Sequence, residues 1–303
     1  MRVAVSGSSG LIGTALIQAL RARGDEVLRL VRRPAGAPDE QTWDPRAGQA
    51  PVEALAEVDG LVHLAGAGIG DQRWTPQRKQ EIRDSRVQGT STLAAALAAV
   101  GSSGRAKPPV FVSGSAIGYY GDRGEEELDE TSPPGTGFLA EVCQAWEAAT
   151  APAAEAGARV VLLRTGVVLS ARGGALARQL PLFRLGLGGT LGDGRQWLSW
   201  ITLRDEVHAI LACLDRPELE GPVNLTAPTP VRNAEFTQAL GRVLKRPARL
   251  GVPRGALRLA LGGQLTDEAL LASQRVLPRR LVEAGFAFQD PTLEGALATA
   301  LAD

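Results

Sequence analysis

The chain begins Arg2-Val3-Ala4-Val5-Ser6-Gly7-Ser8-Ser9-Gly10-Leu11-Ile12-Gly13-Thr14. A short β-rich run stops at three glycines, each followed by two other residues before the next. From Thr14 to Arg23 the apolar residues Leu16, Ile17 and Leu20 recur at helical spacing, and Gly24 ends the pattern. Glu26 to Val31 then reads as a second buried strand. Strand, glycine loop, helix and strand follow at the length of a βαβ unit. Glycines there allow a tight turn and let the backbone approach a pyrophosphate. The free N–H groups at the helix start then receive the negative charge. Gly7, Ser8, Gly10, Leu11, Ile12 and Gly13 are therefore the first candidate cofactor residues. Three spaced glycines alone are weak evidence, and their place between a first strand and a first helix makes them specific.

The end of the second strand selects between nucleotides. Proteins that bind NAD usually place a carboxylate there to hold the ribose hydroxyls. This strand ends Leu30-Val31-Arg32-Arg33, with no carboxylate. Two guanidiniums suit a 2′-phosphate, so Arg32 and Arg33 predict NADP(H) rather than NAD(H).

The alternation continues outward. Gly60 to Ala65, Pro109 to Ser113, Arg159 to Leu163 and Pro222 to Leu225 read as strands. Gln77 to Ala99, Phe138 to Glu155 and Glu206 to Leu214 read as helical. This order predicts an α/β fold, a Rossmann-like doubly wound parallel sheet with a smaller C-terminal substrate-side region. Residues 1–240 read as the nucleotide-binding domain, with a glycine- and arginine-rich excursion at about 170–200. Residues 248–303 read as a small helical module.

Composition bounds the remaining classes. The 33 basic and 33 acidic residues balance, which argues against bulk attraction to nucleic acid or to a membrane. Cys143 and Cys213 sit among apolar residues and read as reduced core cysteines. His63 and His208 show no metal-ligand spacing. With no leader pattern after Met1 and no membrane-spanning run, a cytoplasmic protein is expected.

Further motifs carry a resemblance. They include His63-Leu64-Ala65-Gly66, Ser113-Gly114-Ser115, Tyr119-Tyr120-Gly121, Leu163-Arg164-Thr165-Gly166 and Gln274-Arg275-Val276-Leu277-Pro278. Together with the glycine loop, they resemble the extended short-chain dehydrogenases/reductases of the epimerase type. The match is closest to the atypical "epimerase family protein" subgroup and covers essentially the whole chain. The resemblance implies that Leu64, Ala65 and Gly66 border the cofactor and that Ser115 is the active-site serine. It also implies a tyrosine with a lysine four residues later, and that pair is missing. Arg123 and Gly124 follow Tyr119 and Tyr120 at that spacing, and no lysine lies between Lys107 and Lys245. Where the class often has an asparagine, this chain has Arg86. The candidate catalytic residues are accordingly Ser115, Tyr119 and Tyr120, with the tyrosines supplying a proton from a loop. Two functions stay open, an NADP(H)-dependent oxidoreductase or epimerase-like enzyme and a non-catalytic NADP(H)-binding redox sensor. An unknown small-molecule substrate and a monomer or homodimer are expected, with no nucleic-acid, membrane or metal partner.

Overall fold

The computed structural model describes residues 1–102 and 108–302. Lys107 and Asp303, the last residue of the C-terminal module, lie outside them. The strands are β1 (Arg2–Ser6), β2 (Glu26–Val31), β3 (Glu40–Thr42), β4 (Gly60–His63), β5 (Val110–Ala116), β6 (Val160–Thr165) and β7 (Gly221–Leu225). They form one seven-stranded sheet, ordered β7-β6-β5-β4-β1-β2-β3, in which every pairing is parallel. Both faces are covered, and so the strands are apolar at consecutive positions. Val3, Val5, Val62, Val112 and Leu163 pack into the core on one face, and Ala4, Leu61 and Phe111 pack into the core on the other.

The main helices are α1 (Leu11–Ala22), α2 (Pro76–Ser102), α3 (Phe138–Ala148), α4 (Gly174–Arg184), α5 (Leu203–Asp215), α6 (Asn233–Leu244), α7 (Arg254–Leu261) and α8 (Leu293–Ala302). Helices α1 and α5 cover the valine face, while α2 covers the other with Leu93, Leu97 and Val100. None of the described helices is long and apolar enough to cross a membrane.

Three local readings are corrected. The helix expected over Phe138–Glu155 is two helices, because Pro152 in the first turn of Ala151–Glu155 has no N–H to continue the ladder. Ser115 lies inside β5 rather than past it, opposite Arg164. The excursion at 170–200 is not an open loop. It contains α4, whose Leu176, Leu180 and Phe183 share an apolar cluster with Phe236 and Leu240 of α6 and Leu293 and Leu297 of α8. The final helix is thereby packed onto the excursion.

One buried charge-bearing group stands apart in this core. Glu206, in the first turn of α5, is fully buried. Its Oε1 accepts a hydrogen bond from Thr165 at 2.9 Å, and its Oε2 has no partner among the described residues. Burial pushes its pKa from 4.5 up to about 8. A carboxyl that is harder to ionise when folded stabilises the fold below its unfolded pKa. The contribution is lost as pH rises through the folded value. Urea midpoints should therefore fall between pH 4.5 and about 8, and Glu206→Gln should flatten that slope.

Candidate functional site

Strand order reverses where β1 lies between β2 and β4, and a crevice opens beyond their C-terminal ends. The cleft there has a volume of about 870 Å³ and is lined by Gly7 to Gly10, Arg29 to Arg33, Glu40, Trp43 to Arg46, and Leu64 to Gly66. Gly7 turns with φ at 71°, in the left-handed region that glycine tolerates. A Cβ on Gly13 would stand 2.2 Å from the Gly7 carbonyl oxygen, so loop and helix touch directly. Gly10 caps α1 without a side-chain acceptor, which leaves the helix-start N–H groups facing the crevice.

Of the residues expected at the cofactor, Gly7, Ser8, Gly10, Arg32, Arg33, Leu64, Ala65 and Gly66 line this cleft. Gly13 supports it from behind. Leu11 and Ile12 are half-buried in the first turn of α1, and Leu11 lies against Gly173 just before α4.

The arginine pair does not stand alone in the cleft. A carboxylate does stand in the cleft, supplied by the short strand β3 that the sequence reading did not include. Glu40 accepts from Arg33 at 2.6 and 2.8 Å and from the Gly36 amide at 2.8 Å, and Arg29 lies 3.1 Å away. These partners, Arg33 first, hold its pKa at about 2. Both oxygens are engaged, and Arg33 is engaged with them. Arg32 is exposed and forms no ion pair or side-chain hydrogen bond among the described residues. Arg46 is in the same state on the same rim. The two guanidiniums left for a ligand are thus Arg32 and Arg46, a partnership that sequence spacing does not reveal.

Below the strand ends runs a buried polar network. The Ser115 hydroxyl donates to Glu147 Oε1 at 2.7 Å. Arg164 donates to both Glu147 oxygens, at 2.8 and 2.9 Å, and to the Tyr120 hydroxyl at 3.0 Å. That hydroxyl in turn donates to Asn224 at 2.7 Å. Tyr120 is fully buried, and burial raises its pKa to about 12. Its hydroxyl is doubly occupied and hard to ionise, which speaks against its expected role as proton donor. Tyr119 is half-buried, with the Arg164 guanidinium 3.5 Å from its ring centroid, and it is the tyrosine with part of its surface open. Glu147 and Asn224 escaped the sequence reading, because their partners are distant in the chain.

The face of α3 next to Gly118 carries Leu139 and Cys143. Burial pushes the Cys143 thiol up to about 12. The cation beside it is Arg86, which donates to Ala67 and Ile82 carbonyls and lies 5.0 Å from the Trp146 ring centroid. His63 is a core residue. It is fully buried, bonded to Ser6, and lowered to about 3 by burial and by Arg86. Both cysteines are buried and unbridged. No described group of His, Cys, Asp and Glu could hold a metal ion.

Residues 3–225 match the NAD dependent epimerase/dehydratase family, and residues 252–300 match a domain of unknown function, DUF1731. Epimerase family protein Mb2239 of Mycobacterium bovis is 50% identical over 295 residues, which span 97% of this chain and 96% of the relative. Epimerase family protein SDR39U1 of Bos taurus is 38% identical over the full length of both chains. The crystal structure of the human epimerase family protein SDR39U1 (isoform 2) with NADPH superposes with a TM-score of 0.87 at 34% identity, covering 100% of each chain. MoeE5 with UDP-glucuronic acid and NAD, at 21% identity and a TM-score of 0.79, shares the fold.

The network yields a stability difference. Removing Glu147 leaves the Arg164 charge buried with no carboxylate, so Glu147→Ala should cost about 3 kcal/mol in urea unfolding. Arg21→Ala, at an exposed pair with Asp39, should cost less than about 1 kcal/mol.

Proposed function

The chain belongs to the NAD dependent epimerase/dehydratase family, and from that premise we propose that it binds NADP(H) and acts as an oxidoreductase or epimerase-like enzyme on a carbonyl, alcohol or sugar-like substrate. The observation that carries the nucleotide choice is the state of the cleft's charges. Glu40 is held by Arg33 and the Gly36 amide, Asp44 Oδ1 accepts from the Arg46 and Ala47 amides, and Arg32 and Arg46 are open to a 2′-phosphate. The NADPH-bound relative supports the same choice. A cytoplasmic setting, a small-molecule substrate and a monomeric or dimeric state belong to this reading.

The nicotinamide, when bound, would supply or accept a hydride. The chain's own residues would handle the oxygen. Because the Ser115 proton is committed to Glu147, the serine oxygen is oriented to accept a hydrogen bond from a substrate hydroxyl. A proton leaving that hydroxyl would pass through Ser115 toward Glu147. The bidentate Arg164 pair fixes the Glu147 carboxylate in place beneath the serine. Tyr119 is the remaining candidate proton donor.

One observation favours the second reading, a non-catalytic NADP(H)-responsive protein. Tyr120 is occupied on both sides of its hydroxyl, and no lysine stands on α3.

Calorimetric titration with NADPH, NADP⁺, NADH and NAD⁺ should show preference for the phosphorylated pair. Arg32→Ala should weaken NADPH by about ten- to a hundredfold and leave NADH nearly unchanged, from the loss of one charge-assisted hydrogen bond. Equal loss for both nucleotides would remove the 2′-phosphate reading. Arg33→Ala should instead release Glu40 and improve NADH binding relative to NADPH.

Turnover separates the two readings. Incubation with NADPH and a panel of aldehydes, ketones and keto sugars should consume the nucleotide slowly, and Ser115→Ala should slow it further. Tight binding with no consumption across the panel would assign the chain to the non-catalytic class.

A further inference from the structure

The balance of 33 basic and 33 acidic residues hides a segregation. No acidic residue occurs from Ala156 to Gly192 or from Phe236 to Thr266. The fold lays parts of these two stretches side by side. The Leu250 amide donates to the Gly188 carbonyl, the Val252 amide donates to Thr190, and Pro247 lies against Gly186. The joined surface combines two features.

The first is apolar. Leu182, Leu185, Leu187 and Leu250 are 54%, 72%, 51% and 51% exposed. Large aliphatic side chains left this open stand proud of the surface instead of lining a groove, and together they make an apolar patch. The second feature is cationic. Arg184, Lys245, Arg246 and Arg249 are exposed around the leucines and form no ion pair among the described residues. The last three, with Arg242, border a hollow of about 420 Å³ whose lining contains no carboxylate. Elsewhere in these stretches Arg164 is matched by Glu147, Arg178 by Asp71, Arg242 by Glu294 and Arg254 by Asp267, and Arg159 is tied to main-chain carbonyls. Four exposed cations named in no ion pair among the described residues thus lie where the leucines protrude.

We propose that this face docks the protein on an anionic phospholipid surface, with the leucines entering the interface and the four cations meeting headgroup phosphates. Aliphatic side chains beside long basic ones suit the boundary between acyl chains and headgroups. A second copy of the chain fits less well, because a twofold contact would bring the same cations together. A protein partner also fits less well, because the patch has none of the tyrosine or tryptophan that anchors such contacts. Zero net charge removes bulk attraction to a membrane but leaves this local one. It also favours one orientation, since the rest of the surface carries the compensating negative charge. This docking is independent of the reading of the cleft.

The test is co-sedimentation of the full chain with phosphatidylcholine vesicles and with vesicles of phosphatidylcholine mixed with phosphatidylglycerol. Binding is expected to the mixed vesicles alone and should weaken as salt is raised. Replacing the three basic residues together (Lys245→Ala, Arg246→Ala and Arg249→Ala) should lower the partition coefficient on the order of a hundredfold. Leu185→Ser with Leu187→Ser should lower it with the charges intact. These positions are exposed, so unchanged thermal unfolding verifies that each variant is folded. Absence of binding to both vesicle types overturns the proposal, and so does binding that neither variant weakens. Retention on polyglutamate but not on vesicles overturns it in favour of an acidic protein partner. A dimer in sedimentation velocity that Leu185→Ser abolishes overturns it in favour of a second copy.

Discussion

The contact between Gly7 and Gly13 is the constraint on which the nucleotide crevice depends. No side chain fits between the Gly7 carbonyl and the Gly13 α-carbon, so the first helix lies directly on the loop that precedes it. Gly7 is also close to β4, because a Cβ there would lie 2.7 Å from the Leu64 carbonyl carbon. Two close approaches thus fix the loop, the helix start and the turn after β4 relative to one another. The helix N–H groups have one direction in which to face, and it is the point where the sheet order reverses. Affinity for a pyrophosphate follows from that geometry before any charged side chain is considered.

Charges then act on two levels. At the rim, Glu40 and Arg33 neutralise one another, and what remains for a ligand is determined by the arginines they leave out. Beneath the floor, a hydrogen-bonded run passes from Ser115 through Glu147, Arg164 and Tyr120 to Asn224. Such a network fixes side chains firmly. It also occupies the Tyr120 hydroxyl as both donor and acceptor, which is capacity an acid or base would need.

The sheet was legible because its strands are buried on both faces and the glycine loop marks where the first one ends. Period and punctuation were enough for β1, β2, β4, β5, β6 and β7. Strand β3 was not legible. Three residues, Glu40-Gln41-Thr42, carry no apolar pattern, and they pair only because β2 offers a free edge. Missing β3 meant missing Glu40, and with it the engagement of Arg33. The catalytic region shows the same limit. Ser115 was marked out by its motif, but Glu147 and Asn224 reach the network from a separate helix and strand, and no local spacing encodes that convergence. A tyrosine motif likewise does not tell whether its hydroxyl points toward solvent or into the core, and here Tyr119 and Tyr120, adjacent in sequence, take opposite situations.

Strand β3 has one more consequence. It is the outermost strand of the sheet on its side, and a terminal strand presents unpaired backbone groups to any extended chain that meets it. Its shortness and the Arg29, Asp39 and Arg33 charges around it make it a poor template for such pairing. The engagement of Arg33 at the rim of the cleft and the protection of the sheet edge are therefore written in the same few residues. A substitution at Glu40 or Arg33 thus acts on the flank of the sheet as well as on the rim of the cleft, so solubility limits which changes this corner of the molecule tolerates.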